Sequence, residues 1–87
     1  MEGWLHGIES WWYKSGQKRS ETHFENGVIH GLHIDWHRNG YKKEEGHYFC
    51  GERIGIWTEW DINGRKIQEQ WYGNDIAVKC KNIVNMS

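Results

Sequence analysis

A strict 24-residue period runs through this chain, and it constrains the fold more than any other feature of the sequence. The period recurs without an insertion in the glycines Gly7, Gly31 and Gly55 and in the tryptophans Trp12, Trp36 and Trp60. Repeats of this length are supersecondary units that each bury their apolar surface against their neighbours. The period therefore predicts one repeat domain, residues 3–79, made of the units 7–30, 31–54 and 55–78 and followed by a tail at 80–87.

Each unit is predicted to be a β-hairpin. Hairpin-loop sequences recur at Asn39-Gly40 and Asn63-Gly64, with Ser15-Gly16 as the weaker copy and a second turn at Asn26-Gly27. The chain contains no proline, which suits hydrogen-bonded strand ladders. The predicted strands are 8–13, 17–25, 32–37, 41–49, 56–61 and 65–72, with a seventh at 76–81. The predicted fold class is therefore all-β, an antiparallel meander of six to seven strands in a single sheet.

Two loop lengths compete for the register within each hairpin, because a shift of one residue exchanges the two faces of a strand. A two-residue loop pairs Ile8 with His23 and separates the recurring aromatic residues from the tryptophans. A three-residue loop with a left-handed glycine pairs Trp12 with Lys18 and gathers the recurring apolar rows on one face, so it is the predicted loop. The predicted core is then Ile8, Trp12, Phe24, Leu32, Trp36, Tyr48, Ile56, Trp60 and Tyr72, with Gly16, Gly40 and Gly64 in the turns.

The units resemble the variant MORN repeat, whose pattern is G-x-W-x-x-W/Y-x-x-N-G-x-K-x-x-E-x-x-Y-x-x-G. The third unit, from Gly55 to Tyr72, matches this pattern best, whereas Glu9 and His33 stand where Trp57 fits it. The resemblance implies a curled antiparallel sheet that binds other proteins. Bacterial members of the family are described as antitoxin-like, so a toxin is one implied partner. The family has no catalytic residues to carry over.

The face opposite the predicted core carries residues that do not repeat, and it is the predicted binding surface. Aromatic side chains interleaved with carboxylates supply anchor area and charge selectivity for another protein. The residues predicted to contact a partner are Trp11, Tyr13, His33, His47, Phe49, Trp57, Glu59 and Trp71. Two alternatives stay open: the face is buried between two copies of the chain in a homodimer, or the tail at 76–86 covers it. An open edge strand is a further docking route.

Charge and composition argue against several classes of partner and location. Eleven basic and twelve acidic residues give a net charge of −1, and without a basic patch a nucleic-acid partner is not expected. Cys50 and Cys80 are too few for a disulfide scaffold and lack zinc-site spacing. A reducing, cytoplasmic location is the simplest expectation, with a single bridge left open. The absence of 18 consecutive apolar residues argues against a membrane role.

No cofactor and no catalytic residue is predicted. The chain has no assignable nucleophile and base, and the row Glu21, Glu45 and Glu69 is interpreted as structural. His33 and His37 lie four residues apart on one strand, which separates them by about 13 Å and prevents them from sharing a zinc ion. A metal site that pairs His33 with Glu45 is a minor alternative. The sequence thus predicts a non-enzymatic protein-interaction module.

Overall fold

A computed structural model of the chain describes residues 7–74, which form one sheet of antiparallel strands. The strands are β1 (Gly7–Trp12), β2 (Lys18–Glu25), β3 (Val28–Trp36), β4 (Lys42–Phe49), β5 (Glu52–Trp60) and β6 (Lys66–Trp71). Their order in the sheet is their order in the chain, so the sheet is an open meander with β1 and β6 at its two ends. The predicted fold class is confirmed. The predicted seventh strand, 76–81, lies outside the described residues.

Three-residue loops close the hairpin of each unit, as predicted. In the first, at 14–16, the Tyr13 amide donates to the Gln17 carbonyl at 2.8 Å, and the Gly16 amide donates to the Tyr13 carbonyl at 3.0 Å. Gly16 has a φ of 98°, a left-handed conformation that glycine adopts without steric cost. The loops at 38–40 and 62–64 repeat these hydrogen bonds.

Two-residue turns join consecutive units, and they make two strands longer than predicted. The turns are formed by Asn26 and Gly27 and by Cys50 and Gly51, all four of which have positive φ. Positive φ at both central residues defines the type I′ turn, whose twist matches that of the flanking strands. Because the turns are this short, β3 and β5 begin at residues 28 and 52 rather than at 32 and 56.

A bulge beyond each hairpin loop overturns the predicted grouping of apolar rows. Trp12 pairs with Lys18 as predicted, but Trp11 pairs with Ser20, so that Arg19 has no opposite residue. Lys43 and Ile67 occupy the same position in the other two hairpins. One extra residue changes the register of all positions beyond it. Ile8 therefore pairs with His23, which is the register that the sequence argument had rejected.

The two faces of the sheet follow from this register, because directly paired residues share a face and successive residues alternate. The tryptophan face carries Ile8, Trp12, Leu32, Ile34, Trp36, Ile56, Trp60 and Trp71. The tyrosine face carries Trp11, Phe24, His33, Tyr48, Trp57 and Tyr72. The prediction that Phe24, Tyr48 and Tyr72 share a face with the recurring tryptophans is wrong, because the bulge places them on the other side.

Burial does not follow the repeat. Within residues 7–74 the buried hydrophobic side chains are Ile34 and Trp57, which are 8% and 2% exposed, and neither belongs to the predicted core. By contrast Ile8, Trp12 and Ile56 are more than half exposed. The molecule measures 45 × 31 × 10 Å, and 10 Å is the thickness of one sheet layer. A single layer shields a side chain only where its neighbours on the same face surround it.

Side chains at the loop end of the sheet connect each unit to the next. The Tyr13 hydroxyl donates to the Trp36 carbonyl at 2.8 Å, and His37 Nε2 makes the equivalent bond to the Trp60 carbonyl at 2.9 Å. In the third unit the same position is Asp61, which instead accepts from the amides of Asn63 and Arg65, each at 2.9 Å. These backbone hydrogen bonds, that from Arg65 first, hold the pKa of Asp61 below its ordinary value.

Candidate protein interface

The structure divides the residues predicted to bind a partner between the two faces of the sheet. Residues from β1, β3 and β5 lie on the tyrosine face, namely Trp11, His33, Trp57 and Glu59. Residues from β4 and β6 lie on the tryptophan face, namely His47, Phe49 and Trp71. Tyr13 lies at a hairpin loop. The predicted single surface is therefore wrong, and the bulges that rotate the second strand of each hairpin are the reason.

Trp57 is buried in an aromatic cluster and is not available for contact in this structure. Its indole lies flat against Gly46, where an added Cβ would overlap the ring. Tyr48 contacts it edge-on with ring centroids 5.0 Å apart, His33 stacks at 5.9 Å and Tyr72 lies at 6.3 Å. The indole Nε1 donates to the His47 carbonyl at 3.0 Å, so its polar atom is satisfied, as a buried indole requires.

The second unit builds the equivalent position with a different pair. Trp57 and Gly46 correspond to His33 and Thr22, 24 residues earlier. There the Thr22 hydroxyl and His33 Nδ1 lie 2.9 Å apart in a hydrogen bond, and His33 Nε2 lies 3.2 Å from Asp35 Oδ2. A small polar pair thus replaces an indole packed on glycine, which explains how the pattern tolerates a histidine where the third unit has tryptophan.

Arg53 forms the lid of the Trp57 cluster. Its guanidinium carbon lies 4.0 Å from the Trp57 ring centroid and 5.5 Å from that of Tyr72, which is a cation–π geometry. Its Nη1 also lies 3.4 Å from Glu44 Oε2 and donates to the Tyr72 hydroxyl at 3.2 Å. Burial disfavours the charge, but hydrogen bonds with Tyr48 and Tyr72 outweigh it, so the pKa of Arg53 is held above its ordinary value.

A row of carboxylates crosses the tyrosine face beside this cluster. Asp35 pairs directly with Glu44, and Glu44 pairs directly with Glu59, so three acidic residues follow one another across β3, β4 and β5. We call these three residues the acidic row. Like charges directly opposite each other destabilise a sheet. The paired positions of the tyrosine face carry four carboxylates, those of the acidic row and Glu9, against one guanidinium, that of Arg53.

The acidic row continues into a shallow depression on the side of β1. Asp35 pairs with Ser20, and Ser20 pairs with Trp11, which is 55% exposed. These three residues and the bulged Arg19 line a cavity of about 370 Å³. The indole of Trp11 and the carboxylate of Asp35 are both groups that can contact a cation, and the guanidinium of Arg19 lies in the same lining. This end of the row has the residue types that were predicted for a binding surface.

The tryptophan face has a different charge arrangement, because its central carboxylates are matched by lysines. Lys18 Nζ lies 3.0 Å from Glu21 Oε1, and Lys42–Glu45 and Lys66–Glu69 repeat this pair at 2.8 and 3.4 Å. The hydrogen bond from Lys18 is the main reason that the pKa of Glu21 lies below its ordinary value of 4.5. Lys18 Nζ also lies 5.6 Å from the Trp36 ring centroid, within cation–π distance. Glu25 and Glu52 lie farther away, beside the two-residue turns.

The part of the chain that the structure describes does not contain the metal site that the sequence left as a minor alternative. His33 and Glu45 lie on opposite faces, so the pair suggested as a metal site is not formed. Residues 7–74 contain no group of three or more His, Cys, Asp or Glu placed to hold a metal ion. Cys50 is disulfide-bonded, and Cys80, the other cysteine of the chain, lies outside the described residues. Over the same range no helix is long and apolar enough to span a membrane.

Three residues of the tyrosine face, Asp35, Glu44 and Arg53, were not among the residues predicted to contact a partner. Arg53 also lies before residue 56, the predicted start of its strand, whereas β5 begins at Glu52. The positive-φ turn at Cys50 and Gly51 has the same form as that at Asn26 and Gly27, so the repeat contained a signal for the early start of β5. The bulges at Arg19, Lys43 and Ile67 have no shared residue type, and the sequence offered no local signal for them.

Comparison with known proteins returns no relative. No protein-family model matches the chain, and no curated protein or solved structure matches it either.

Proposed function

We propose that this chain is a non-enzymatic protein-interaction module that binds a basic surface of another protein through its tyrosine face. The acidic row is the observation that carries the proposal. Its three carboxylates are placed opposite one another, which costs folding stability, and residues that violate a folding rule are expected at functional sites. A basic partner would neutralise the row and offset this cost.

The electrostatics of the row favour this assignment. Asp35 lies beside His33, and Glu44 lies beside Arg53, whereas Glu59 forms no ion pair within residues 7–74. Charge complementarity of this kind speeds encounter and selects among partners. The exposed Trp11 at the end of the row supplies the large apolar contact that commonly dominates binding energy at protein interfaces.

The resemblance to MORN repeats adds a more specific proposal, in which the chain is antitoxin-like and the partner is a toxin. If the toxin binds at the acidic row, its contact surface is expected to be basic. A bound toxin would be blocked by being covered, which requires no catalytic residue on this chain.

Docking at an open edge is a second route to the same function. The sheet has β1 and β6 at its ends, and every residue of β6 is exposed. A partner strand that adds to such an edge is held mainly by main-chain hydrogen bonds. Binding by this route would not depend on the carboxylates of the tyrosine face, so the two routes are distinguishable.

The test is affinity capture with two variants of equal charge. Asp35→Asn with Glu59→Gln neutralises two carboxylates of the acidic row, and Glu21→Gln with Glu45→Gln neutralises two on the tryptophan face. We expect a basic protein retained by the wild type to be lost by the first variant and kept by the second, with retention that weakens as salt increases. Retention by both variants would contradict the tyrosine face as the site and favour the edge route.

The disulfide at Cys50 argues against the predicted cytoplasmic localisation. That localisation depends on the sequence expectation of a reducing compartment, whereas Cys50 is disulfide-bonded, and disulfides persist in oxidising compartments. The test is alkylation of free thiols in intact cells before lysis. Labelled Cys50 would support the cytoplasmic proposal, and an unlabelled cysteine that reacts only after reduction would contradict it.

A further inference from the structure

The tryptophan face leaves large apolar side chains exposed at both ends of the sheet, on β1 and on β5 and β6. Ile8 and Trp12 on β1 are each 57% exposed, Ile56 on β5 is 53% exposed and Trp71 on β6 is 59% exposed. Single exposed apolar residues are normal on protein surfaces, but several large apolar side chains exposed on one face mark an interaction surface. This surface lies on the opposite side of the sheet from the acidic row.

A second sheet layer is the cover that this face fits. Sheets become stable by packing one apolar face against another element, and two sheets packed face to face lie about 10 Å apart. The described residues form one layer of six strands. The sheet measures 45 by 31 Å in its two long directions. The area of one face is therefore larger than the roughly 800 Å² that each partner buries in an interface of standard size.

The charges of the tryptophan face identify the occupant. Its central lysines and glutamates alternate in three matched pairs, Lys18–Glu21, Lys42–Glu45 and Lys66–Glu69. A strongly charged partner would break these pairs and gain little from them. A copy of the same face, turned by a two-fold axis, presents lysines that can oppose glutamates and indoles that can oppose indoles, which is the self-complementarity of an isologous interface.

We propose that a second copy of this chain covers the tryptophan face, so that the protein is a two-fold dimer with its acidic rows facing outward. The inference goes beyond the proposed function, because it concerns the other face of the sheet. Self-association and partner binding were alternatives for one surface in the sequence analysis. Here self-association uses the tryptophan face and partner binding uses the tyrosine face.

The test is a charge-swap pair made in the full chain. The acidic variant is Lys18→Glu with Lys42→Glu, and the basic variant is Glu21→Lys with Glu45→Lys. Light scattering should show a wild-type dimer, a monomer for each variant alone at the same concentration, and a dimer again when the two are mixed in equal amounts. Each homodimer is expected to weaken at least tenfold, because like charges then oppose each other across the interface.

Three outcomes would overturn the proposal. The first is a wild-type chain that stays monomeric at all concentrations, whether its tryptophan emission is blue-shifted by residues 75–87 or red-shifted by water. The second is a dimer that both charge-swap variants retain, which would place the contact on another surface. The third is the absence of a dimer in the mixture of two variants whose circular dichroism shows that both are folded.

Two further variants separate this proposal from folding defects and from the proposed function. If the charge-swap variants unfold, Trp71→Arg on the exposed edge of the tryptophan face is expected to give a folded monomer, and a folded dimer would contradict the proposal. Asp35→Asn with Glu59→Gln should keep the dimer while losing the partner. Loss of the dimer in that variant would contradict the assignment of self-association to the tryptophan face.

Discussion

The two faces of this sheet are built from the same strands, but they differ in how closely they follow the repeat. The tryptophan face carries the recurring residues, such as Trp12, Trp36 and Trp60, and much of it is exposed. The tyrosine face keeps the aromatic row Phe24, Tyr48 and Tyr72 but otherwise varies from unit to unit, and it contains the most buried side chain, Trp57. A repeated residue is therefore not necessarily a core residue in a single-layer sheet. Repetition fixes the spacing of the strands, and burial depends on what surrounds each position.

Truncation of matched tryptophans is the strongest way to test this difference. Trp57→Ala removes the centre of the aromatic cluster and should cost about 3–5 kcal/mol of unfolding free energy, the usual range for a buried tryptophan. Trp71→Ala removes a side chain that is 59% exposed, and it should cost less than about 1 kcal/mol in the monomer. Urea denaturation of both variants gives the comparison. Equal losses would contradict the distinction between the faces.

Substitution of the glycine beneath Trp57 should have the next largest effect. Gly46→Ala places a Cβ where the indole lies, and overpacking of this kind costs about 1–3 kcal/mol. Its φ is not in the left-handed region, so the loss would come from packing and not from backbone strain. Thermal unfolding measures the effect.

A rescue variant makes the Gly46 experiment specific. Gly46→Thr combined with Trp57→His recreates the Thr22–His33 pair of the second unit. We expect this double variant to be more stable than Gly46→Thr alone, because the hydroxyl gains a hydrogen-bond partner of the kind seen at 2.9 Å between Thr22 and His33. A double variant no more stable than Gly46→Thr would show that the two units are not interchangeable at this position.

Neutralising the acidic row should stabilise the fold while it weakens binding. Asp35→Asn with Glu59→Gln removes like charges from directly paired positions, and we expect a gain of about 0.5–1 kcal/mol at low salt. The gain should shrink at 1 M salt, where exposed charges are screened. Chemical denaturation at two salt concentrations checks this. A loss of stability would show that the row is structural, and the functional assignment would then lack its main support.

The smallest expected effect concerns the Lys18–Glu21 pair of the tryptophan face. Because the pKa of Glu21 is lower in the folded chain, its ionised form stabilises the fold above the ordinary pKa, and this contribution is lost as the pH falls through the folded pKa. Glu21→Gln should therefore cost up to about 0.5 kcal/mol at pH 7 and less at pH 3. Denaturation at both pH values measures the difference. The same loss at both pH values would show that charge is not its cause.

Much of the fold could be predicted because it depends on local chemistry. Glycine at 16, 40 and 64 permits the left-handed residue of each three-residue loop, and the pairing of Trp12 with Lys18 follows from that loop. The turn at Asn26-Gly27 was also predicted, although the strand that follows it begins four residues earlier than expected. The candidate site was predicted less well, because its residues had to be assigned to faces. Trp11 and Glu59 lie on the acidic-row side as expected, whereas His47, Phe49 and Trp71 lie on the other.

The sequence by itself determined the period, the number of hairpins, their antiparallel order and the positions of their loops. The reason is that glycine spacing and turn propensity act over a few residues. Only the tertiary structure decided which side chains share a face. Bulges at Arg19, Lys43 and Ile67 shift the register by one residue, and no residue type at those positions requires a bulge. The stacking of Trp57 on Gly46 and the opposition of Asp35, Glu44 and Glu59 arise only when neighbouring strands are paired in that shifted register.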